Sequence, residues 1–193
     1  THYSIIDKWG NAVSVTTTIN SGYGSKVVVD GAGFFLNNEM DDFSAKPGIP
    51  NQFGLLGSEA NSIEPGKRML SSMTPTIVLK NDKPVLIVGS PGGSTIITAV
   101  LQVVLNVLDF NMEIKEAVNA PRMHHQWYPD HISLEEGVLN AVGTLELMNM
   151  GHKLKDIPYL GLIEAIKIDP ETGKVTGATD GRGFGLAKGE LDK

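Results

Sequence analysis

Two features of this chain could do chemistry if the fold brought them together: a threonine at its first position and a pair of adjacent glycines near its middle. The chain opens Thr1-His2-Tyr3-Ser4 rather than on Met, which reads as a cut end rather than a translation start. A hydroxyl beside a newly exposed α-amine is a known way to build a nucleophile, because the amine can serve as its base. Gly92 and Gly93 lie between an apolar run, residues 85–88, and the start of a helical pattern. Successive glycines leave backbone N–H groups open to a ligand, and the helix dipole favours negative charge there. That suits an oxyanion hole for acyl transfer. The same pair also reads as a plain tight turn, or as a phosphate cradle, although Ser94-Thr95 stands where a P-loop needs a lysine.

Other polar clusters suit recognition. Asn37, Asn38, Glu39, Asp41 and Asp42 gather three carboxylates and two amides at the end of an apolar run. This is either a solvated acidic loop or a pocket for an ammonium group in which the amides hold the carboxylates. As a calcium loop its ligand spacing does not fit an EF-hand. Ser71 and Ser72 could donate two hydroxyls to a carboxylate, or simply form the turn before the next strand. His124-His125 lacks the partner spacing of a zinc site and reads as structural. Tyr3, Trp9, Trp127 and Tyr128 read as packing residues.

The elements that must position these groups follow from periodicity. Residues 3–7 and 12–19 form a hairpin around Trp9-Gly10-Asn11, with Val13, Val15, Thr17 and Ile19 on one face. Two short strands, 27–29 and 33–36, come next. Residues 37–75 show no sustained period, and a loop of that length inside a compact domain is functional or disordered. A second hairpin, 76–79 with 85–88, runs into Gly89-Ser90-Pro91-Gly92-Gly93-Ser94, which opens a helix of about sixteen residues. On it Thr95, Thr98, Gln102, Asn106 and Asp109 form a polar stripe. Ile96, Ile97, Val100, Leu101, Val104 and Leu108 cover the rest, so most of its surface should be buried. A helix at 114–119 stops before Pro121, a strand follows near 132–134, a helix at 139–150 closes at Gly151, and 165–168 with 174–179 make a last hairpin. Strands, then helices, then strands imply a layered α+β sandwich, and 193 residues are about one domain.

Composition removes several classes. The net charge of −6 and the lack of a basic stripe argue against a nucleic-acid role. With no cysteine there is neither a disulfide framework nor a thiol nucleophile. No stretch of this chain is long and apolar enough to span a bilayer. The lack of a signal peptide decides nothing, since a chain cut from a precursor would have lost it.

Together and in this order, three segments make the chain resemble the small subunit of a γ-glutamyltranspeptidase, over residues 1–182. They are Asn37-Asn38-Glu39-Met40-Asp41-Asp42-Phe43-Ser44, Leu70-Ser71-Ser72-Met73-Thr74-Pro75-Thr76-Ile77 and Gly89-Ser90-Pro91-Gly92-Gly93-Ser94, supported by Ala120-Pro121-Arg122 and His124. The resemblance implies an N-terminal nucleophile hydrolase, an αββα sandwich made when an inactive precursor cuts itself into a large and a small subunit. Residues 1–193 would be the small subunit, one half of that domain, with the large subunit as partner. It further implies that Thr18 supports the nucleophile, that Asn20, Glu39 and Asp42 hold the α-ammonium of a γ-glutamyl group, and that Ser71 and Ser72 bind its α-carboxylate with an arginine of the large subunit. Gly92 and Gly93 would be the oxyanion donors, and residues 47–58 a lid with Phe53 as its gating aromatic. Glutathione or another γ-glutamyl compound would be the donor, with water, an amino acid or a short peptide as acceptor, no metal or organic cofactor, and a periplasmic or extracellular setting. Rival readings are an acylase or poly-γ-glutamate depolymerase on the same scaffold, and a catalytically inactive binding protein.

One departure concerns the nucleophile itself. The family opens its small subunit Thr-(Thr or Ala)-His-x-Ser, so Thr1 matches the second position. Counting back from Thr18 by the family's spacing also ends just before Thr1. The expected nucleophile is therefore the residue preceding Thr1, because a one-residue slip would turn every side chain of the strand to the other face. Thr1 itself stands as the provisional site residue, reacting in a shifted register. A lesser departure is Thr95, where relatives usually carry Arg.

Overall fold

A computed structural model describes residues 1–189, so the last four positions of the expected 1–193 unit lie outside the described residues. In chain order the elements are β1 (His2–Ile6), β2 (Ala12–Thr16), β3 (Thr76–Lys80), β4 (Lys83–Gly89), α1 (Ile96–Leu108), α2 (Ile114–Asn119), β5 (Met123–His124), β6 (Ile132–Leu134), α3 (Ala141–Asn149), β7 (Leu154–Asp156), β8 (Glu164–Ile168) and β9 (Val175–Thr179). The β1–β2 pair runs in register from His2 opposite Thr16 to Ile6 opposite Ala12. Its turn is held by the Asp7 carboxylate, which accepts from the Trp9 and Asn11 amides at 2.9 and 2.8 Å.

The central sheet is antiparallel, in the order β3-β4-β8-β9. In β4, Val85, Leu86, Ile87 and Val88 are all buried, as expected of a strand covered on both faces. One face carries α1 and α2, whose Ile96, Ala99, Val100, Val103, Val107, Ile114, Ala117 and Val118 close on Leu86, Val88, Ile163, Ala165 and Ala178. The β1–β2 hairpin lies on the other face. There Ser4 Oγ donates to the Glu164 carbonyl and Ser14 Oγ to the Val88 carbonyl, both at 3.1 Å. Helices, sheet and second strand layer give the expected α+β class and three layers of an αββα sandwich. A small sheet, β5-β6-β7, stands beside them.

A buried charge cluster ties the helical edge to the sheet. The Arg122 guanidinium, 1% exposed, pairs with Asp180 at 2.5 Å and donates to the Val118 and Leu160 carbonyls. Arg182 bridges Asp180 and Glu135, and Glu135 also accepts from the Arg122 and Leu160 amides. Removing one partner of such a pair leaves the other charge buried and uncompensated.

Four expectations need correction. Residues 27–29 and 33–36 make a single bridge, Val28 to Phe35, rather than strands. Of the two readings of the 37–75 loop, functional or disordered, disorder is the one corrected: short 3₁₀ turns at Glu39–Asp42 and Glu59–Asn61 and bridges Ser44–Ser62 and Pro50–Leu56 fold it on itself. In α1 the expected burial is reversed on one side. Ile97 and Leu101 are about half exposed, at 49% and 51%. The polar stripe instead faces the following segment, where Thr98, Gln102 and Asn106 satisfy His124 and the Met123 and Ala117 carbonyls. Irregular backbone needs side-chain donors, and the stripe supplies them. Finally, Tyr3, Trp9, Trp127 and Tyr128 are exposed on this chain rather than packed.

His2 is the only ionisable side chain among the buried residues of the hairpin. Its ring bonds Thr16 Oγ1 at 2.8 Å and Ser4 Oγ at 3.1 Å. Burial, with the neighbouring terminal charge, lowers its pKa from 6.5 to about 4. The unfolded chain therefore binds a proton that the folded chain refuses, and stability should fall as pH drops from 6.5 towards 4. Denaturant titrations at pH 7 and pH 4.5 check this: His2→Gln should flatten that part of the pH profile.

Candidate active site

The hairpin's end, the acidic turn of the long loop and the turn after β4 meet around a cavity of about 490 Å³. Thr1, Thr18, Asn20, Asp42, Phe53, Ser71, Ser72, Gly92 and Gly93 line it. Glu39 is not among the lining residues. It sits behind them, next to the Asn20 backbone N–H and Asp42, with Oε1 buried and unpartnered.

Strand pairing determines which position faces this cavity from the N-terminal side. The Thr1 amine donates to the Thr17 carbonyl at 2.7 Å and the Thr17 amide to the Thr1 carbonyl at 2.9 Å, so the ladder extends one step past β1 and β2. His2 and Ser4, with Ser14 and Thr16 opposite, point inward to the central sheet. Side chains alternate along a strand, so Thr1 belongs with exposed Tyr3 on the outer face. The next inward position is the one before Thr1, across from Thr18. Burial lowers the pKa of the Thr1 amine below its ordinary value. Thr18 Oγ1 accepts from the Asn20 amide at 2.7 Å, and Asn20 holds a left-handed φ of 72°.

The acidic corner is built by asparagines. Asn20 Nδ2 donates to the Asn38 carbonyl at 3.0 Å, while Asn38 Oδ1 accepts from the Ser21 amide. Asn51 Nδ2 reaches the Asp41 carbonyl. Asn61 does two jobs: its Nδ2 donates to the Asp42 carbonyl at 2.8 Å and its Oδ1 accepts from the Leu70 amide at 3.0 Å. It therefore sets Ser71-Ser72 at a fixed place relative to Asp42. Sequence reasoning missed Asn51 and Asn61, since a single Asn in an aperiodic loop carries no spacing signal. Burial first, and then the neighbouring carboxylates, push Glu39 and Asp42 above the ordinary carboxylate range. Among the described residues neither Glu39 nor Asp42 forms an ion pair, so negative charge accumulates here. Among the described residues no three His, Asp or Glu side chains converge as a metal ion would require.

Opposite that corner, Gly92 and Gly93 take φ values of 148° and 58°, a stretch of backbone that other residues adopt only with strain. A Cβ on Gly93 would meet the Phe53 ring at 2.9 Å, so that ring lies directly on this glycine. Among the described residues neither glycine N–H donates to a protein acceptor. Two free amides at the start of a helix, across a cavity from uncompensated carboxylates, can accept an anionic centre and hold a cationic group of one molecule.

Comparison with known proteins finds relatives along nearly the whole chain. A family profile described as gamma-glutamyltranspeptidase matches residues 1–189. The chain is 50% identical over 183 residues to the glutathione hydrolase proenzyme of Escherichia coli (strain K12), covering 94% of this chain and 31% of that protein. It thus spans about a third of the length of the curated relatives it matches. A mutant gamma-glutamyltranspeptidase of Helicobacter pylori superposes with a TM-score of 0.91 at 57% identity, over 95% of this chain and all of that one. A highly active mutant of the Pseudomonas nitroreducens enzyme gives a TM-score of 0.92 at 49% identity, each chain covered in full.

The raised pKa values at the acidic corner make a stability prediction. Ionising Glu39 and Asp42 in the folded state costs free energy at neutral pH, and that cost disappears as pH falls through their raised values. Glu39→Gln should therefore leave thermal stability equal to or above that of the parent at pH 7, with the difference closing at acid pH. Unfolding curves across pH check it; a Gln variant less stable at pH 7 would contradict it.

Proposed function

This chain belongs to the γ-glutamyltranspeptidase family, and from that premise we propose that it is the catalytic part of a two-subunit enzyme that transfers or hydrolyses γ-glutamyl groups. The reading rests chiefly on one observation: the acidic corner, the serine pair and the two free glycine amides share one cavity at the end of the hairpin. The nucleophile is the threonine preceding Thr1, which strand alternation turns inward beside Thr18; Thr1 continues the strand behind it.

In the first step the threonine hydroxyl adds to the γ-carbonyl of glutathione or a similar compound, and its proton passes to the threonine's own α-amine. Thr18 holds that hydroxyl in line. The carbonyl oxygen becomes an oxyanion, which the Gly92 and Gly93 N–H groups stabilise by about 3 kcal/mol per donor. Collapse breaks the C–N bond, the leaving amine takes the proton back, and a γ-glutamyl ester remains. Water or the amine of an acceptor then repeats the sequence in reverse, releasing glutamate or a new γ-glutamyl amide. Asn20 and Asp42 hold the α-ammonium at the cavity wall with the Glu39 charge behind them, and the ammonium neutralises the accumulated charge. Ser71 and Ser72 donate to the α-carboxylate, with an arginine from the large subunit. The ammonium clamp favours donors with a free α-amino group over glutaryl compounds. No metal or organic cofactor takes part in these steps.

The large subunit supplies the missing fourth layer. On the outer face of the hairpin Tyr3, Ile5 and Val13 are 46%, 51% and 43% exposed, an apolar face that a further helical layer would cover. It would come from the same self-cleaving precursor, in keeping with the proenzyme relatives. A periplasmic or extracellular setting rests on family membership alone.

The processed two-subunit protein should release nitroaniline from γ-glutamyl-p-nitroanilide, and faster with glycylglycine present. No release from a correctly processed sample would leave a binding protein as the reading. Asp42→Asn should raise KM for the donor about tenfold or more, the scale of a lost charged hydrogen bond. Donor binding should also weaken towards acid at a higher pH than ordinary carboxylates titrate, since protonated Glu39 and Asp42 lose the ammonium.

A further inference from the structure

Phe53 is fixed from two sides. Its ring lies on Gly93. Its main-chain carbonyl accepts from Gln126 Nε2 at 3.1 Å, a contact across 73 positions of sequence. Gln126 Nε2 donates as well to the Tyr128 carbonyl at 3.0 Å. With both amide hydrogens used, Gln126 Oε1 must accept, and it lies 2.8 Å from His124 Nε2. That assigns the proton of buried His124 to Nε2 and leaves Nδ1 to accept from Thr98 Oγ1 at 2.7 Å. Thr98 is on the first turn of α1, directly after the Gly93–Thr95 turn. In that turn Thr95 Oγ1 donates to the Gly92 carbonyl at 2.9 Å.

We infer that Gln126, oriented by His124 and Thr98, is a positioning residue that latches the lid over the cavity by holding the Phe53 carbonyl. The latch starts from the same helix that presents the oxyanion glycines, so ring and carbonyl of Phe53 are both referenced to α1. Gln126 is bonded through both its amide nitrogen and its amide oxygen, which holds it in the orientation that reaches the lid. Gly54 is part of the same seat: a Cβ there would meet Pro129 Cδ at 3.2 Å and Gln126 Nε2 at 3.8 Å. Gln126 touches no reacting group; it acts through Phe53. This inference rests on the proposed γ-glutamyl chemistry only for its kinetic consequence, since the latch itself is geometric.

The test uses the complete processed protein and two variants. Gln126→Glu keeps the size and the acceptor for His124 but removes the donor and turns an anion towards the Phe53 carbonyl. Gln126→Met removes both functions. Chymotryptic cleavage after Phe53 reports how often the ring leaves Gly93, because cleavage follows the open population when closing is fast. Losing one neutral hydrogen bond should raise that rate about fivefold, with cleavage elsewhere in the chain unchanged. KM for γ-glutamyl-p-nitroanilide should rise by a similar factor while kcat changes less than twofold, a split that general destabilisation would not produce. Parent-like cleavage and KM in Gln126→Glu would overturn the latch, as would faster cleavage throughout the chain rather than at the lid. An inactive parent whose lid is still released in the variants would sink the γ-glutamyl reading and leave the latch standing.

Discussion

A Cβ on Gly89 would stand 2.2 Å from the His2 ring, so the hairpin can rest on β4 only because that position is bare. The contact governs more than local packing. It seats His2 inward, and with it every second residue of β1, so the alternation of the whole strand follows from one ring on one glycine. It also puts the N-terminal end of the hairpin at the end of β4, a few residues before Gly92 and Gly93. A side chain at Gly89 would push the strand away from the turn that supplies the free amides. A slip by one residue would replace the neutral, hydrogen-bonded imidazole with the outward-facing Thr1 or Tyr3. The same slip would turn Ser4 outward and break its bond to the Glu164 carbonyl.

The site gives up stability to gain recognition. Glu39 keeps a buried oxygen without a partner; burial and then the Asp42 charge push its pKa up, and burial and then the Asp41 charge do the same to Asp42. Buried polar groups in folded proteins are normally satisfied, so the exception points to a cation that completes the corner. Gly92 and Gly93 show the same economy on the other side, with strained backbone angles and unspent N–H groups. Asn20, Asn38, Asn51 and Asn61 hold the acidic corner in place by bonding backbone atoms. The buried Arg122–Asp180–Arg182–Glu135 cluster ties together the chain just after α2, β6 and β9 at the far edge.

Much of this was legible in the residues. The hairpins expected at 76–79 with 85–88 and at 165–168 with 174–179 were legible because apolar, β-branched runs flank turn residues, and α2 because Pro121 ends it. The position before Thr1 came from the family's opening motif and its spacing to Thr18, and strand alternation turns that same position inward. What escaped notice was set by contacts distant in sequence. Counting apolar residues around α1 cannot say which side another layer covers, so exposed Ile97 and Leu101 were expected inside. The loop's compactness comes from Asn side chains bonding backbone, which has no period. His124 looked merely structural because its partners, Thr98 and Gln126, are informative only once Phe53 stands next to them.

The account turns on an acyl group carried by a threonine at the inward position, within reach of Gly92 and Gly93. Rapid acid quench of the processed protein during turnover of γ-glutamyl-p-nitroanilide, followed by peptide mass mapping, tests it most directly. A glutamyl adduct on the residue immediately before Thr1 is the expected result. An adduct on Thr1 would show that the strand sits in the shifted register, and a turning-over enzyme with no acyl adduct on either residue would contradict the mechanism.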